Sequence, residues 1–202
     1  MSPAAESDVK TQRILNAVRA VLARNGYART TINLVAAEAG VSRGLLHYYF
    51  ASKEDMLVRV IQENMDVSVR MIGDIFQRAD TVDHIADGLT AALRSVLTAD
   101  PDFFNLFFEA WSVARLSPAV DARLREHYDD FRSAVRAGLE TALQRGIISP
   151  ALSLVGMAAL LTGIIDGYGL QMVTEPRLID EAEIWDAAGQ AIRMLLGDGA
   201  TH

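Results

Sequence analysis

Apolar residues recur every three or four positions along nearly the whole chain, which is the spacing of one face of an α-helix. The first such segment covers 9–24, and Asn25-Gly26 supplies its stop. Five later helices are separated by breaks that each contain a proline, and they are predicted at 81–99, 102–115, 119–145, 151–174 and 180–196. No segment alternates in the manner of a strand. The pattern therefore predicts an all-α fold of about nine helices.

Between these segments the chain predicts two very short helices joined by a tight turn. Thr30 or Thr31 can cap the first helix, and Ser42 can cap the second. Gly40 suits the left-handed position between them because it has no Cβ. A fourth helix over 53–79 then has an apolar stripe long enough to connect two domains.

We expect two domains, an N-terminal one over 1–53 and a C-terminal helical bundle over 54–202, connected by the helix over 53–79. The chain has 202 residues, half of them hydrophobic, which is enough for a sizeable core. Residues 1–60 carry eight Lys or Arg against five Asp or Glu, whereas the remainder carries eleven against twenty-one. A local basic excess permits a nucleic-acid surface at the N-terminal end.

Two short helices around a glycine turn are typical of a helix-turn-helix, whose second helix enters the major groove of DNA. Arg43, Gly44, His47 and Tyr48 are expected on its outer face, where groups of different reach suit both phosphate oxygens and base edges. Arg43 is the candidate for a bidentate contact with guanine, and Gly44 would let the backbone approach the groove floor. The expected phosphate anchors are His47, Tyr48, Tyr49 and Lys53.

Each of these assignments has an alternative that the sequence leaves open. Ser42 can serve as a helix cap, as a base reader or as both. Tyr49 and Phe50 could be core aromatics, and Lys53 could be a solvated charge. Arg43 could contact a phosphate instead of a base.

This stretch resembles the N-terminal signature of TetR-family transcriptional regulators. The matching residues are Thr30-Thr31, the run from Ala36 to Ser42, Gly44-Leu45, Tyr49-Phe50 and Ser52-Lys53-Glu54. The resemblance implies a dimer with two helix-turn-helix heads on a palindromic operator, and a helical C-terminal domain that binds a small effector. It also implies that helices eight and nine form the dimer interface.

Carried over by position, the resemblance implies eight DNA-contacting residues. They are Thr31, Ser42, Arg43, Gly44, His47, Tyr48, Tyr49 and Lys53. One departure is His47, because the family often has tyrosine there and the contact of a phenol would fall to an imidazole. The run from Leu161 to Gln171 further resembles the C-terminal domains of the BetI-like branch.

Five aromatic residues lie within the nine positions 103–111, more than one amphipathic face needs to seal a core. Large rings and flexible thioethers are what an apolar ligand site would use, so a largely apolar effector is expected, and a plain aromatic core is the alternative. The expected ligand-binding residues are Met65, Phe103, Phe104, Phe107, Phe108, Trp111, Tyr128, Tyr168 and Met172. A polar group such as Glu109 or Asp166 would orient a ligand in such a pocket, and Asp166 could equally belong to an interface.

The helix predicted over 151–174 has small residues every four positions, which leaves one of its sides nearly bare. Close helix approach follows, and with the last helix it would form a four-helix bundle about a two-fold axis. The expected interface residues are Ala159, Gly163, Gly167, Trp185, Ala188 and Ile192. The alternative is contact within one subunit.

Several classes of protein find no support in the sequence. The absence of cysteine removes disulfides, thiolate catalysis and Cys-ligated zinc. HExxH, GxSxG and P-loop motifs are missing, so neither an enzyme nor a cofactor or metal site is expected. No secretory signal begins the chain, and its most apolar stretch, 151–165, is shorter than the roughly 18–20 residues that a bilayer span needs. A cytoplasmic protein without a membrane partner is expected.

The sequence thus predicts a ligand-responsive transcriptional regulator, and a repressor is the favoured form of regulation. It would bind double-stranded DNA as a homodimer and be released by a small-molecule effector. The alternative is a helical dimeric module for ligand binding or protein interaction that does not bind an operator.

Overall fold

A computed structural model of the chain describes residues 3–100 and 102–197, so the outer ends of the two predicted domains lie outside it. Within those residues the fold is all-α, as predicted. The nine helices are α1 (Pro3–Arg29), α2 (Ile32–Ala39), α3 (Arg43–Tyr49), α4 (Lys53–Arg78), α5 (Val82–Ala99), α6 (Asp102–Ala114), α7 (Pro118–Gln144), α8 (Leu154–Thr174) and α9 (Ala182–Leu196). A short 3-10 helix, Pro176–Asp180, precedes α9.

The two short helices begin and end at the residues that the sequence predicts. The hydroxyl of Thr31 accepts the Leu34 backbone N–H at the start of α2, and the hydroxyl of Ser42 accepts that of Leu45 at the start of α3, each at 3.3 Å. Gly40 ends α2 in the left-handed conformation, with φ of 62°. These contacts satisfy backbone groups that a helix end leaves unpaired, so both helices have defined limits despite their length.

Helix α1 contains a kink at Gly26, where the sequence predicts its end. Gly26 has φ of 70° and ψ of 164°, and one further turn follows up to Arg29. The hydroxyl of the buried Thr30 donates to the Gly26 carbonyl oxygen at 2.8 Å. The turn after the kink is therefore closed by a side chain as well as by the backbone.

The chain forms two compact units that do not follow chain order. Unit 1 comprises residues 1–64 and 105–125, and unit 2 comprises residues 65–104 and 126–202. Three helices, α4, α6 and α7, contribute residues to both units. Contact therefore groups the middle of α6 and the start of α7 with the N-terminal helices, whereas the predicted division at residues 53 and 54 follows the sequence alone.

Each unit has its own apolar core. In unit 1 the core side chains come from α1 to α4, α6 and α7, and include Ile14, Val18, Leu22, Val35, Leu46, Phe50, Leu106 and Val120. In unit 2 they come from α4, α5, α7, α8 and α9, and include Phe76, Ile85, Leu139, Met157, Leu161 and Leu196. Burial of this apolar surface is the main favourable contribution to the folding of each unit.

Helix α8 leaves much of its apolar surface uncovered. Val155, Leu160 and Leu170 are 66%, 47% and 52% exposed. By length and composition α8 is also long and apolar enough to cross a membrane, as the core helix of a soluble protein can be. An uncovered apolar face of this kind marks an interaction surface.

Gly138 of α7 offers a test of the unit 2 core. A Cβ at Gly138 would overlap the Phe76 ring, whereas one at the exposed Gly73 of α4 would meet nothing within 4 Å. We expect Gly138→Ala to lower the free energy of unfolding by about 1–3 kcal/mol through overpacking. Gly73→Ala should raise it by about 0.5–1 kcal/mol through helix propensity. Chemical denaturation of both variants checks this, and equal effects would contradict the close contact.

Candidate functional site

Helix α3 has one buried side and one exposed side. Leu46 is fully buried and Phe50, directly after the helix, is 2% exposed. Arg43 and His47 point to solvent on the other side, and Tyr48 is 84% exposed. Burial of the first two residues therefore fixes which side chains α3 presents outside unit 1.

The exposed side of α3 is free to meet a ligand. Arg43 makes no ion pair with any carboxylate in the part of the chain that the structure describes. A Cβ at Gly44 would meet nothing within 4 Å, so a partner can approach the backbone there. Tyr49 is half-buried, with its ring edge-on to Tyr48 at 5.6 Å and tilted against Phe50 at 6.5 Å. Tyr49 thus combines the two roles that the sequence left open, a packing contact and a partly exposed hydroxyl-bearing ring.

Lys53 is placed differently from a freely solvated charge. Its Nζ donates to the Ala28 carbonyl oxygen at 3.2 Å and lies 4.2 Å from the centre of the Tyr27 ring. An ammonium group has three donors, so a phosphate contact remains compatible with these two interactions. The phosphate contact of Lys53 stays a prediction.

Tyr27, which sequence reasoning missed, joins three helices of unit 1. Its hydroxyl donates to Glu54 Oε1 at 2.6 Å, and its backbone N–H donates to Glu109 Oε1 of α6. Burial first, and then the neighbouring Glu54, raise the pKa of the Tyr27 hydroxyl. The same hydrogen bond is the largest cause that lowers the pKa of Glu54. The one signal near Tyr27 in the sequence is the predicted stop at Asn25-Gly26. That stop indicates a break in α1, but it does not indicate that Glu109 contacts the residue after the break.

The site of Glu109 also differs from its expected role as a ligand-orienting group. Its carboxylate oxygen lies where a Cβ on Gly26 would come within 3.1 Å, so the Glu109 side chain packs closely against the backbone of Gly26. Glu109 therefore serves a contact inside unit 1.

Unit 2 contains a half-buried carboxylate with a phenol partner. The hydroxyl of Tyr128 on α7 donates to Asp166 Oδ2 on α8 at 2.9 Å. Burial raises the pKa of Asp166, and the hydrogen bond from Tyr128 offsets part of that shift. Burial, followed by the charge of Arg132, lowers the pKa of the neighbouring His127 to about 4. At neutral pH His127 is therefore neutral, and the pair formed by Asp166 and Tyr128 is the polar feature here.

The nine residues predicted to bind a ligand are divided between the units. Unit 1 holds Phe107, which is buried, Phe108, which is half-buried, and Trp111, which is 50% exposed. In unit 2 the buried members are Met65, Phe104 and Met172, and the half-buried ones are Phe103, Tyr128 and Tyr168. Their membership of one site stays a prediction.

An apolar crevice within unit 2 contains none of those nine residues. It is lined by Ile72, Leu89, Thr90, Leu93, Val135, Leu161, Ile164, Ile165, Ala188 and Ile192. It offers about 10 Å³ of free space, no more than one water molecule needs. An effector could enter it only if side chains moved.

The predicted interface residues fall into two groups. On α8, Ala159 and Gly163 are exposed and Gly167 is half-exposed, and neither glycine has a neighbour within 4 Å of a Cβ. On α9, however, the predicted residues face the unit's own core: Trp185, Ala188 and Ile192 are only 6%, 3% and 4% exposed. The indole N–H of Trp185 also donates to the Ile179 carbonyl oxygen at 2.8 Å.

Within the single chain the three predicted residues of α9 therefore face the core of unit 2, and their place in a dimer interface stays a prediction. Trp185, Ala188 and Ile192 form the apolar stripe of α9, and α5 and α8 already cover that stripe. The side left open carries Ala187, Ala191 and Met194, of which Met194 is 84% exposed.

Comparison with known proteins identifies two matching segments of the chain. The family model of bacterial regulatory proteins of the TetR family matches residues 14–60. The model of the BetI-type transcriptional repressor C-terminal domain matches residues 85–197, more than half of the chain. The chain belongs to the TetR family. It is a transcriptional regulator with an N-terminal helix-turn-helix for DNA binding.

Individual relatives agree with this assignment. The HTH-type transcriptional regulator YfiR of Bacillus subtilis is 29% identical over 174 residues, which cover 83% of each chain. Salmonella enterica GusR has a similar fold, with a TM-score of 0.79 at 21% identity over 93% of this chain and 95% of its own. FadR from Bacillus subtilis, solved in complex with stearoyl-CoA, has a TM-score of 0.76 at 19% identity over 92% of this chain and 97% of its own.

Arg43 of this TetR-family protein can be tested for base contact. If it reads guanine, Arg43→Ala should cost about 1–3 kcal/mol of binding and relax preference at one base position. Arg115→Ala removes the same charge from an exposed residue outside the helix-turn-helix and is the control. Fluorescence anisotropy with a set of single-base operator variants measures both. An equal loss on every duplex would assign Arg43 to a phosphate.

Asp166 predicts a pH-dependent stability. Because its pKa is raised in the folded state, the burial of its charged form opposes folding above that pKa and ceases to do so as the pH falls through it. Asp166→Asn should therefore raise the melting temperature at pH 7, with a gain that shrinks towards pH 4. Asp130→Asn, at an exposed position of α7, should show no such trend. Thermal melts across this range check it, and a constant difference would contradict the shifted pKa.

Proposed function

We propose that this TetR-family protein is a ligand-responsive repressor that binds a palindromic operator as a homodimer and is released by a small effector. The observation that supports it most directly is the outer face of α3, where Arg43, His47 and Tyr48 are exposed on a helix anchored by Leu46. Guanidinium, imidazole and phenol groups suit both phosphate and base contacts. A repressor that binds operator DNA must lie in the compartment that contains the DNA, so the proposal includes a cytoplasmic location.

The proposed contact surface on DNA extends beyond α3. Thr31 and Ser42 cap the two helices and remain exposed, so each hydroxyl can also reach a phosphate. Gly44 would admit the sugar-phosphate backbone or a base edge close to α3. Tyr49 and Lys53 would add phosphate contacts at its C-terminal end.

The proposed dimer is held by the open sides of α8 and α9. Ala159, Gly163 and Gly167 allow two copies of α8 to approach closely, and Leu160 and Met194 supply exposed apolar surface. A two-fold axis makes such a face self-complementary. The two heads could then bind half-sites about 34–36 Å apart, one turn of DNA.

The proposed effector is a largely apolar molecule with one group that donates a hydrogen bond. Asp166 is retained in a half-buried position where its charge is costly, with Tyr128 as its hydrogen-bond partner. Groups that reduce stability in this way are often kept for binding. Stearoyl-CoA in FadR, a protein of the same fold, has a long apolar chain, which supports an apolar effector for this fold.

Operator binding and dimerisation can be tested together. Duplexes enriched from a random pool by the full chain should contain two inverted half-sites with centres about 10–10.5 base pairs apart. Gly163→Glu should give a folded monomer that has lost most operator affinity, because the carboxylate would enter the α8 interface. Gly73→Glu, also exposed and without a neighbour, should stay dimeric.

Sedimentation and gel shift read out this experiment. A pool without any enriched sequence would reject operator binding and favour a dimeric ligand-binding or protein-interaction module. Full dimerisation and affinity in Gly163→Glu would place the interface elsewhere.

A further inference from the structure

The backbone at the end of α1 depends on a carboxylate from a distant part of the chain. The kink at Gly26 interrupts α1, and the Tyr27 N–H just after it donates to Glu109 Oε1, 82 positions further along. A side chain at position 26 would crowd that oxygen, at 3.1 Å from its Cβ. A hydrogen bond to a charged acceptor is stronger than one between neutral groups. The contact therefore fixes where α6 meets the end of α1.

The side chain of Tyr27 extends the same connection to α4. Its hydroxyl donates to Glu54, and its ring lies beneath the Lys53 ammonium group. Lys53 in turn donates to the Ala28 carbonyl oxygen. Glu54 and Lys53 form the first turn of α4, which begins four positions after the last residue of α3. A displacement of Tyr27 would therefore move the start of α4, and the short segment between α3 and α4 would transmit this movement to α3, the helix expected to enter the major groove.

We infer that Glu109 is a positioning residue for DNA binding, which holds the helix-turn-helix in a fixed orientation on α6 through the Tyr27 backbone and side chain. This inference rests on the proposed function. Two heads that must fit one operator lose affinity when either head has to be ordered during binding, because the lost freedom opposes association. The hydrogen bond from Glu109 removes that freedom in advance.

The first test compares three variants on two duplexes. Glu109→Ala should lower affinity for the duplex enriched by the wild-type chain by about tenfold, which corresponds to one charge-assisted hydrogen bond. Its affinity for an unrelated duplex of the same length should not change, because non-specific binding comes from the electrostatic attraction of the phosphates and needs no alignment with base edges. Glu109→Gln keeps an acceptor oxygen and should stay within about twofold of the wild type. Ser112→Ala, on the exposed side of α6, is the control.

A second readout separates positioning from a general loss of structure. The chain has five tyrosines, so ¹⁵N-tyrosine labelling gives five backbone amide signals. In Glu109→Ala only the Tyr27 amide should exchange faster with solvent. Tyr27→Phe breaks the contact with Glu54 and should also weaken specific binding. The double variant should bind no worse than the weaker single one, since both changes break one connection.

The outcomes distinguish this inference from the proposed function. Unchanged or higher affinity of Glu109→Ala for the enriched duplex would overturn the inference alone, as would an equal loss on the unrelated duplex or additive effects in the double variant. If the wild-type chain enriched no duplex, the proposed function would fail and the inference with it.

Discussion

Burial of Leu46 and Phe50 on one side of a seven-residue helix is the constraint on which the DNA-binding surface depends. So short a helix has little stability of its own, and its orientation comes from the apolar contacts it makes. Once these two side chains are inside unit 1, the helical repeat leaves Arg43, His47 and Tyr48 outside. The caps at Ser42 and Phe50 set the length of the helix but not its rotation. Core packing and the functional face are thus two consequences of one contact.

Polar groups inside the two units are satisfied by specific partners. Thr30 closes the turn after the α1 kink, and the buried hydroxyl of Thr162 donates to the Ala158 carbonyl oxygen at 2.8 Å. Trp185 donates to the carbonyl oxygen of Ile179 in the 3-10 helix, while its ring lies against Tyr168. Among the described residues no buried side-chain nitrogen or oxygen lacks a partner. Asp166 also has a partner in Tyr128, although its burial still disfavours the charged form of the carboxylate.

The contacts of α9 with the rest of unit 2 determine which of its side chains are exposed on the surface of that unit. Arg193 forms ion pairs with Asp83 and Asp87 of α5, each at 2.5 Å, and hydrogen bonding to Asp83 is the largest cause that raises its pKa. These exposed pairs contribute little stability individually. They do favour the same rotation of α9 about its axis as the burial of its apolar stripe does. The side of α9 that carries Met194 is consequently the one left for a partner.

The sequence by itself determined the helices and most of their ends, because caps, glycines and prolines act through neighbouring residues. The first helix is an exception, since α1 continues past the predicted stop to Arg29. It also indicated the helix-turn-helix and its exposed groups, since a short local pattern decides both. It did not determine which side of α9 faces inward, because Trp185, Ala188 and Ile192 would suit a core and an interface equally well. Nor could it connect Glu109 with Tyr27, or place Lys53 on the Tyr27 ring. Those contacts join residues far apart in the chain, and only the tertiary structure decides which distant groups meet.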